Sequence, residues 1–209
     1  MIRLAVFDLD GTISVNSEFY RKVYSGTLEK LIAERRGAEG LAMLKHCREN
    51  YDGRGELALF ALNIAFKDWA ELLINAPMDI LTPKPKLCEL VRSCSVIKVI
   101  YTGSPINMAV RILERLGFRP FEDFELIIGW QKPEQLPLKW TCSPLIFKKV
   151  LDRFSILPNE AWSVGDIWDT DLLPAQTVGM KTAIINKHAK DADLHFPLVE
   201  EFLQRLRKE

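Results

Sequence analysis

Leu4-Ala5-Val6-Phe7-Asp8-Leu9-Asp10-Gly11-Thr12 is the stretch that decides the fold. Four apolar residues in a row, with no polar alternation, suit a strand covered on both faces, as strands of parallel sheets are. The run stops at carboxylates and a glycine, the chemistry of a chain leaving a buried strand and turning. Four more runs repeat the pattern: Val96 to Tyr101, closed by Thr102-Gly103-Ser104-Pro105; Phe124 to Trp130, interrupted by Glu125; Ala161 to Val164, closed by Gly165-Asp166; and Thr182 to Ile185, closed by Asn186. Helical periods separate them, with Val110, Leu113 and Leu116, then Ile146, Val150, Leu151 and Phe154, then Leu172, Leu173 and Ala175. This alternation predicts an α/β fold built on a parallel sheet. Residues Ala192 to Pro197 read as a short edge strand leading into a closing helix with Leu198, Phe202 and Leu206 on one face.

The stretch between the first two runs lacks a strand pattern. Phe19, Tyr20, Val23, Tyr24, Thr27, Leu28, Leu31 and Ile32 form a stripe at helical spacing that stops at Arg35, Arg36 and Gly37. A second helix (Leu41, Leu44) and a third (Leu57, Phe60, Ala61, Ile64) follow, separated by Asn50-Tyr51-Asp52-Gly53. Thr82-Pro83-Lys84-Pro85 marks the return. The expected organisation is a core of residues 1–14 and 82–209 with an all-helical insert, 15–81, the alternative being one layer of helices over a single domain.

Composition narrows the function. The 209 residues carry 28 basic and 28 acidic side chains, and 48% of them are hydrophobic. A balanced charge gives no field to steer a polyanion, which argues against a nucleic acid polymer as partner. Charges interrupt every apolar window short of the about 20 residues of a bilayer span, so no membrane association is expected. Met1 to Phe7 is too short for a signal-peptide core and runs straight into carboxylates, and a cytoplasmic location is expected. Cys47, Cys88, Cys94 and Cys142 show no paired or zinc-ligand spacing and read as free thiols.

Asp8 and Asp10 stand at i, i+2 on an extended segment, which sends both carboxylates to one side, where one can act as nucleophile and the other as proton donor. Gly165-Asp166 through Asp171 puts a second acidic cluster at the end of another expected strand. Carboxyl ends of strands form the ligand crevice of open α/β sheets. Carboxylates crowded there need a cation, and an all-oxygen site suits Mg²⁺. Thr102-Gly103-Ser104-Pro105 reads as the end of the second strand and the opening of a helix, with proline at about the first helical position, a seat for phosphate at a helix N-terminus.

In that order, these motifs resemble the haloacid dehalogenase superfamily of phosphatases. Asp8-Leu9-Asp10-Gly11-Thr12 stands as the first motif, Thr102 as the second, and Gly165-Asp166 through Asp171 as the fourth. The resemblance covers essentially the whole chain, because the insert is similar to the helical cap of that superfamily's first subgroup. It implies a Rossmann-like catalytic core with a cap that closes over the site, excludes water and selects the substrate. Asp8 would attack phosphorus to give an aspartyl phosphate, and Asp10 would protonate the leaving oxygen and then activate water. Asp8, the Asp10 backbone carbonyl and Asp166 would hold Mg²⁺, with Asp171 as a direct or indirect partner. Thr12, Thr102 and the Gly103 N–H would meet the phosphoryl oxygens.

The third motif departs from the family pattern of lysine and proline followed by Pro-x-x-Phe. Pro144-Leu145-Ile146-Phe147 fits, but Thr141 and Cys142 fill the slots of lysine and proline. A cation is wanted beside Asp8. Lys139 is preferred on proximity, and Lys132, followed by Pro133, is the alternative at the cost of a longer loop.

The leading expectation is a Mg²⁺-dependent phosphatase acting on a small phosphorylated metabolite, as a monomer or small homo-oligomer. The second aspartate, Asp10, argues against a dehalogenase. Phe19-Tyr20 through Gly26-Thr27-Leu28, Ile100-Tyr101-Thr102 and Arg111 through Phe118 are loosely similar to pyrimidine 5'-nucleotidase-like members, which carry Thr-Asn where Thr102-Gly103 stands. A nucleoside monophosphate therefore joins phosphoglycolate and sugar phosphates among the substrates to test. Two alternatives are a sugar phosphomutase and a catalytically silent, partner-binding member, the latter motivated by the displaced lysine.

Overall fold

The computed structural model describes residues 1–51, 54–131 and 137–209. Two compact units emerge, one made of Met1–Val15, Thr82–Gln131 and Pro137–Glu209, the other of Asn16–Leu81.

In the helical unit, Asn16 is extended, and its side chain accepts the Phe19 N–H at 2.8 Å, capping the single turn α1 (Ser17–Phe19). A wider π-type stretch, Tyr20–Ser25, leads into α2 (Gly26–Asn50). This helix breaks at Gly37, with φ 56° and ψ −144°, at the stop signal of the sequence. Two short helices follow, α3 (Leu57–Ala61) and α4 (Phe66–Ile74). Ile64, expected in the third helix, lies beyond the end of α3. Helix α4 was not expected, although Phe66, Trp69, Ala70 and Leu73 are its buried face, at i, i+3, i+4 and i+7. The Trp69 indole N–H donates to Thr27 Oγ1 at 3.0 Å, joining α4 to α2. Arginines of this unit meet local acceptors: Arg35 pairs with Asp68, Arg36 donates to the Leu62 carbonyl, and Arg48 pairs with Glu29.

The other unit contains six parallel strands: β1 (Leu4–Phe7), β2 (Ile97–Pro105), β3 (Leu126–Trp130), β4 (Ala161–Gly165), β5 (Lys181–Ile185) and β6 (Leu194–Phe196). Their order is β3-β2-β1-β4-β5-β6. The connecting and covering helices are α5 (Pro85–Ser93), α6 (Ile106–Leu116), α7 (Leu145–Phe154), α8 (Leu173–Gln176) and α9 (Val199–Leu206). Every residue of β1 is buried, as expected for a central strand covered on both faces.

Alternation along β1 divides the core. Leu4 and Val6 pack in a cluster with Phe147, Val150 and Leu151 of α7. Phe7 points to the other face, where Phe202 of α9 meets the rings of Phe7, Trp162 and Phe196 at centroid distances of 6.0, 5.7 and 5.8 Å. Truncating such a hub to alanine costs about 3–5 kcal/mol. Among the described residues, no helix is long and apolar enough to cross a membrane.

Candidate active site

Strand order places the site. The chain leaves β1 toward β2 and β3, then returns to pair β4 on the opposite side of β1, so the crevice of an open sheet opens between the carboxyl ends of β1 and β4. Phe7 is in register with Ile100 on β2 and Val164 on β4. One residue further on stand Tyr101, Asp8 and Gly165, and the Asp8 N–H donates to the Val164 carbonyl at 2.8 Å.

Asp8 is buried, and its Oδ1 accepts from the Lys139 ammonium. Lys139 reaches it from the short 3₁₀ turn Leu138–Thr141 and also lies 2.8 Å from Asp171 Oδ1 and 3.1 Å from the Tyr101 carbonyl. Burial works against the charge of Lys139, but Asp171 and Asp8 outweigh it and hold the ammonium above its ordinary pKa. Burial also pushes the Asp8 carboxyl well above the usual range; Lys139 opposes this, while Asp171, Asp166 and Asp10 add to it. Asp171 is itself fully engaged. Its Oδ2 accepts the Asp166 and Ile167 N–H groups at 3.1 and 2.9 Å, and Thr170 donates to its Oδ1 at 2.8 Å.

Asp10 sits in a tight loop in which the Ser14 N–H donates to the Leu9 carbonyl at 2.7 Å and the Gly11 N–H donates to the Ser14 carbonyl at 3.0 Å. Its Oδ2 accepts from Thr102 Oγ1 at 2.9 Å and Ser104 Oγ at 2.7 Å. Ser104 was not singled out in the sequence, yet hydroxyls at i, i+2 on an extended chain are suited to meet one acceptor. Thr102-Gly103-Ser104-Pro105 ends β2 and leads directly into a helix, as expected, with a shift of one residue: β2 runs through Pro105, which is in register with Trp130 of β3 after an irregularity, and Pro105 is the N-cap of α6, which begins at Ile106. Pairing to β3 keeps the segment extended, and the Thr102 hydroxyl serves Asp10.

Asp166 follows β4, with its carboxylate against Gly11. A Cβ on Gly11 would stand 2.7 Å from Asp166 Oδ2, and Gly11 has φ +100°, so glycine is required there twice over. Lys187, in the loop after β5, lies 2.9 Å from Asp166 Oδ2. No sequence signal marked that pairing. Burial raises the Asp166 pKa, the Lys187 hydrogen bond lowers it and Asp171 raises it, with the net shift upward.

Candidate ligand atoms of Asp8, Asp166 and Asp171 lie within 4.8 Å of one another. Asp8 Oδ2 and Asp166 Oδ1 are buried without a hydrogen-bond partner among the described residues. Buried carboxylate oxygens left unpaired are costly, and a hard divalent cation satisfies them, so this donor set fits Mg²⁺.

Of the other residues expected here, Thr12 is fully buried, and its hydroxyl has no hydrogen-bond partner among the described residues. Gly103 faces the Trp140 indole. Lys132, the alternative to Lys139, lies outside the described residues. His188 and His195 stack on each other at 4.6 Å between centroids.

The family model for haloacid dehalogenase-like hydrolase matches residues 2–179. The chain is a haloacid dehalogenase-like hydrolase. This hydrolase is similar to the glyceraldehyde 3-phosphate phosphatase of Pyrococcus furiosus, 29% identical over 217 residues that cover 92% of this chain and 84% of the relative. It is also similar to the pyrimidine 5'-nucleotidase YjjG of Escherichia coli K12, 26% identical over 193 residues, with 88% and 77% covered. Among solved structures, the hydrolase shares its fold with the L-2-haloacid dehalogenase of Xanthobacter autotrophicus, at a TM-score of 0.62, 15% identity and 99% coverage of both chains. That likeness concerns the fold alone, because one fold hosts several chemistries.

Proposed function

We propose that the enzyme is a Mg²⁺-dependent phosphatase that hydrolyses a small phosphate monoester through an aspartyl phosphate on Asp8. The observation that carries this reading is the buried Asp8, with one oxygen on Lys139 and the other unpartnered beside Asp166. A carboxylate at the crevice, with a cation at its side that favours its ionised form against burial, is the nucleophile that phosphoryl transfer calls for.

Asp8 attacks phosphorus, and the ester oxygen leaves with a proton from Asp10. Asp10, held by Thr102 and Ser104, then takes a proton from the water that opens the acyl phosphate. Lys139 meets the charge that builds on the phosphoryl oxygens. Asp8, Asp166 and the Asp10 carbonyl would hold Mg²⁺, which neutralises phosphoryl charge when bound. Asp171 positions Lys139 and the backbone after β4. The helical unit, inserted directly after the Asp8 loop, is the part assigned to substrate choice.

Both curated relatives carry names of enzymes that remove phosphate from small metabolites, which supports a panel of triose phosphates, nucleoside monophosphates and phosphoglycolate. The Lys139 contact with Asp8 supports an active enzyme over a silent, partner-binding member. Phosphate release is measured over that panel with Mg²⁺ and with chelator. Release that needs Mg²⁺ and vanishes in Asp8→Asn is expected; full activity in that variant would sink the mechanism.

A further inference from the structure

Lys187 belongs to the acidic cluster but has no part in the proposed reaction. Its Nζ lies 2.9 Å from Asp166 Oδ2, while 53% of its side chain is exposed. Lys139 differs on both counts: only 7% of it is exposed, and it is shared by Asp8 and Asp171. A lysine on a flexible stem at the surface can withdraw into water, whereas a buried one cannot without leaving carboxylates uncompensated.

Two further observations define what the Lys187 contact does. Asp166 does not depend on it for orientation, because the carboxylate is already wedged against the Gly11 backbone, with no room for even a methyl group between them. The contact therefore supplies charge. It also falls on the ligand oxygens, since Asp166 Oδ1, on the same carboxylate, is buried and unpartnered. An ammonium on this carboxylate and a divalent cation on it repel each other across a few ångströms.

We propose that Lys187 is an exchangeable counterion of the metal site, which neutralises Asp166 and withdraws to solvent as Mg²⁺ binds, thereby setting the metal affinity. This rests on the metal site of the proposed function but not on the substrate or the chemical step.

The test is Mg²⁺ binding to the full chain, read by calorimetry and by the Mg²⁺-dependent shift in melting temperature, without turnover. Lys187→Met is compared with the parent, with Lys187→Arg and with Lys190→Ala, a change of equal charge in the same loop. Lys187→Met should bind Mg²⁺ about two- to fivefold more tightly, the fold-change that the loss of a partly exposed charge contact brings. It should melt below the parent without Mg²⁺ and level with it at saturation. Lys187→Arg should keep the parental affinity, and Lys190→Ala should change little. Unchanged or weaker binding in Lys187→Met overturns the proposal, as does equal tightening in Lys190→Ala or a parent that binds no Mg²⁺. Inactivity on every ester, with the Lys187 effect intact, would overturn the phosphatase reading alone.

Discussion

The indole Nε1 of Trp140 lies 2.6 Å from the position a Cβ on Gly103 would occupy, so glycine at 103 and tryptophan at 140 form a matched pair. Because Trp140 is the neighbour of Lys139, this contact ties β2 to the turn that delivers the cation to Asp8. Gly103→Ala should push the indole aside, lower stability by about 1–3 kcal/mol as overpacking does, and reduce phosphate release. In the double variant with Trp140→Ala the alanine at 103 should cost much less. Denaturant midpoints of the four proteins give the coupling, and strict additivity would separate the two residues.

Lys139 is predicted to support both the fold and the reaction. Lys139→Met leaves Asp8 and Asp171 facing each other without a cation, and breaking a buried pair from one side costs about 3–5 kcal/mol. Phosphate release should fall by a factor of at least about 10². Asp8→Asn should be as inactive while remaining folded, since the amide keeps an acceptor for Lys139. A Lys139→Met protein with parental stability would contradict the buried triad.

Gly11→Ala should separate metal binding from the rest of the site. The added methyl group meets the Asp166 carboxylate and must also take a left-handed backbone, φ +100°. Weaker Mg²⁺ binding by calorimetry is expected, with a stability loss of about 1–2 kcal/mol. Parental affinity would mean that Asp166 does not need its present position.

Acid stability should report on Asp123, away from the site. Burial raises its pKa, but the Arg92 guanidinium, with N–H groups of Arg119, outweighs this and holds the carboxyl below its usual range. A depressed folded pKa stabilises the protein above the unfolded value, about 3.9. That contribution disappears as the pH falls through the lower, folded value. Asp123→Asn should therefore be less stable than the parent at neutral pH, with the gap constant down to about pH 5 and closing below about pH 4. Urea midpoints along the acid limb measure it, and a gap that widens toward low pH would reverse the sign.

How much of this the sequence carried depends on which forces are local. The strands were legible because unbroken apolar runs such as Leu4–Phe7 have few other uses, and the Gly37 break was written in its own residue. The pattern of α4 was present in Phe66, Trp69, Ala70 and Leu73, but it follows directly on Ile64 and merges with the stripe before it. Thr102 to Pro105 reads as the approach to a helix, and Pro105 does cap α6, but how far β2 extends is set by β3, 25 residues downstream of Pro105 at Trp130, and not by its own composition. Asp8, Asp10 and Asp166 could be named from motif order. Lys139 could be preferred over Lys132 only by distance along the chain, and the pairing of Lys187 with Asp166 depends on β5 lying beside β4.

The first strand made is the one that stands in the middle. Leu4–Phe7 pairs with residues 97–100 on one side and 161–164 on the other, and Asp8 meets its lysine 131 positions later. During synthesis this apolar segment must therefore wait for residues 97–100 before one edge can pair, and for residues 161–164 before the other can. Contacts so distant in sequence make for slow closure and a long exposure of sticky backbone. A chain stalled before residue 139 would therefore lack the lysine that pairs with both Asp8 and Asp171.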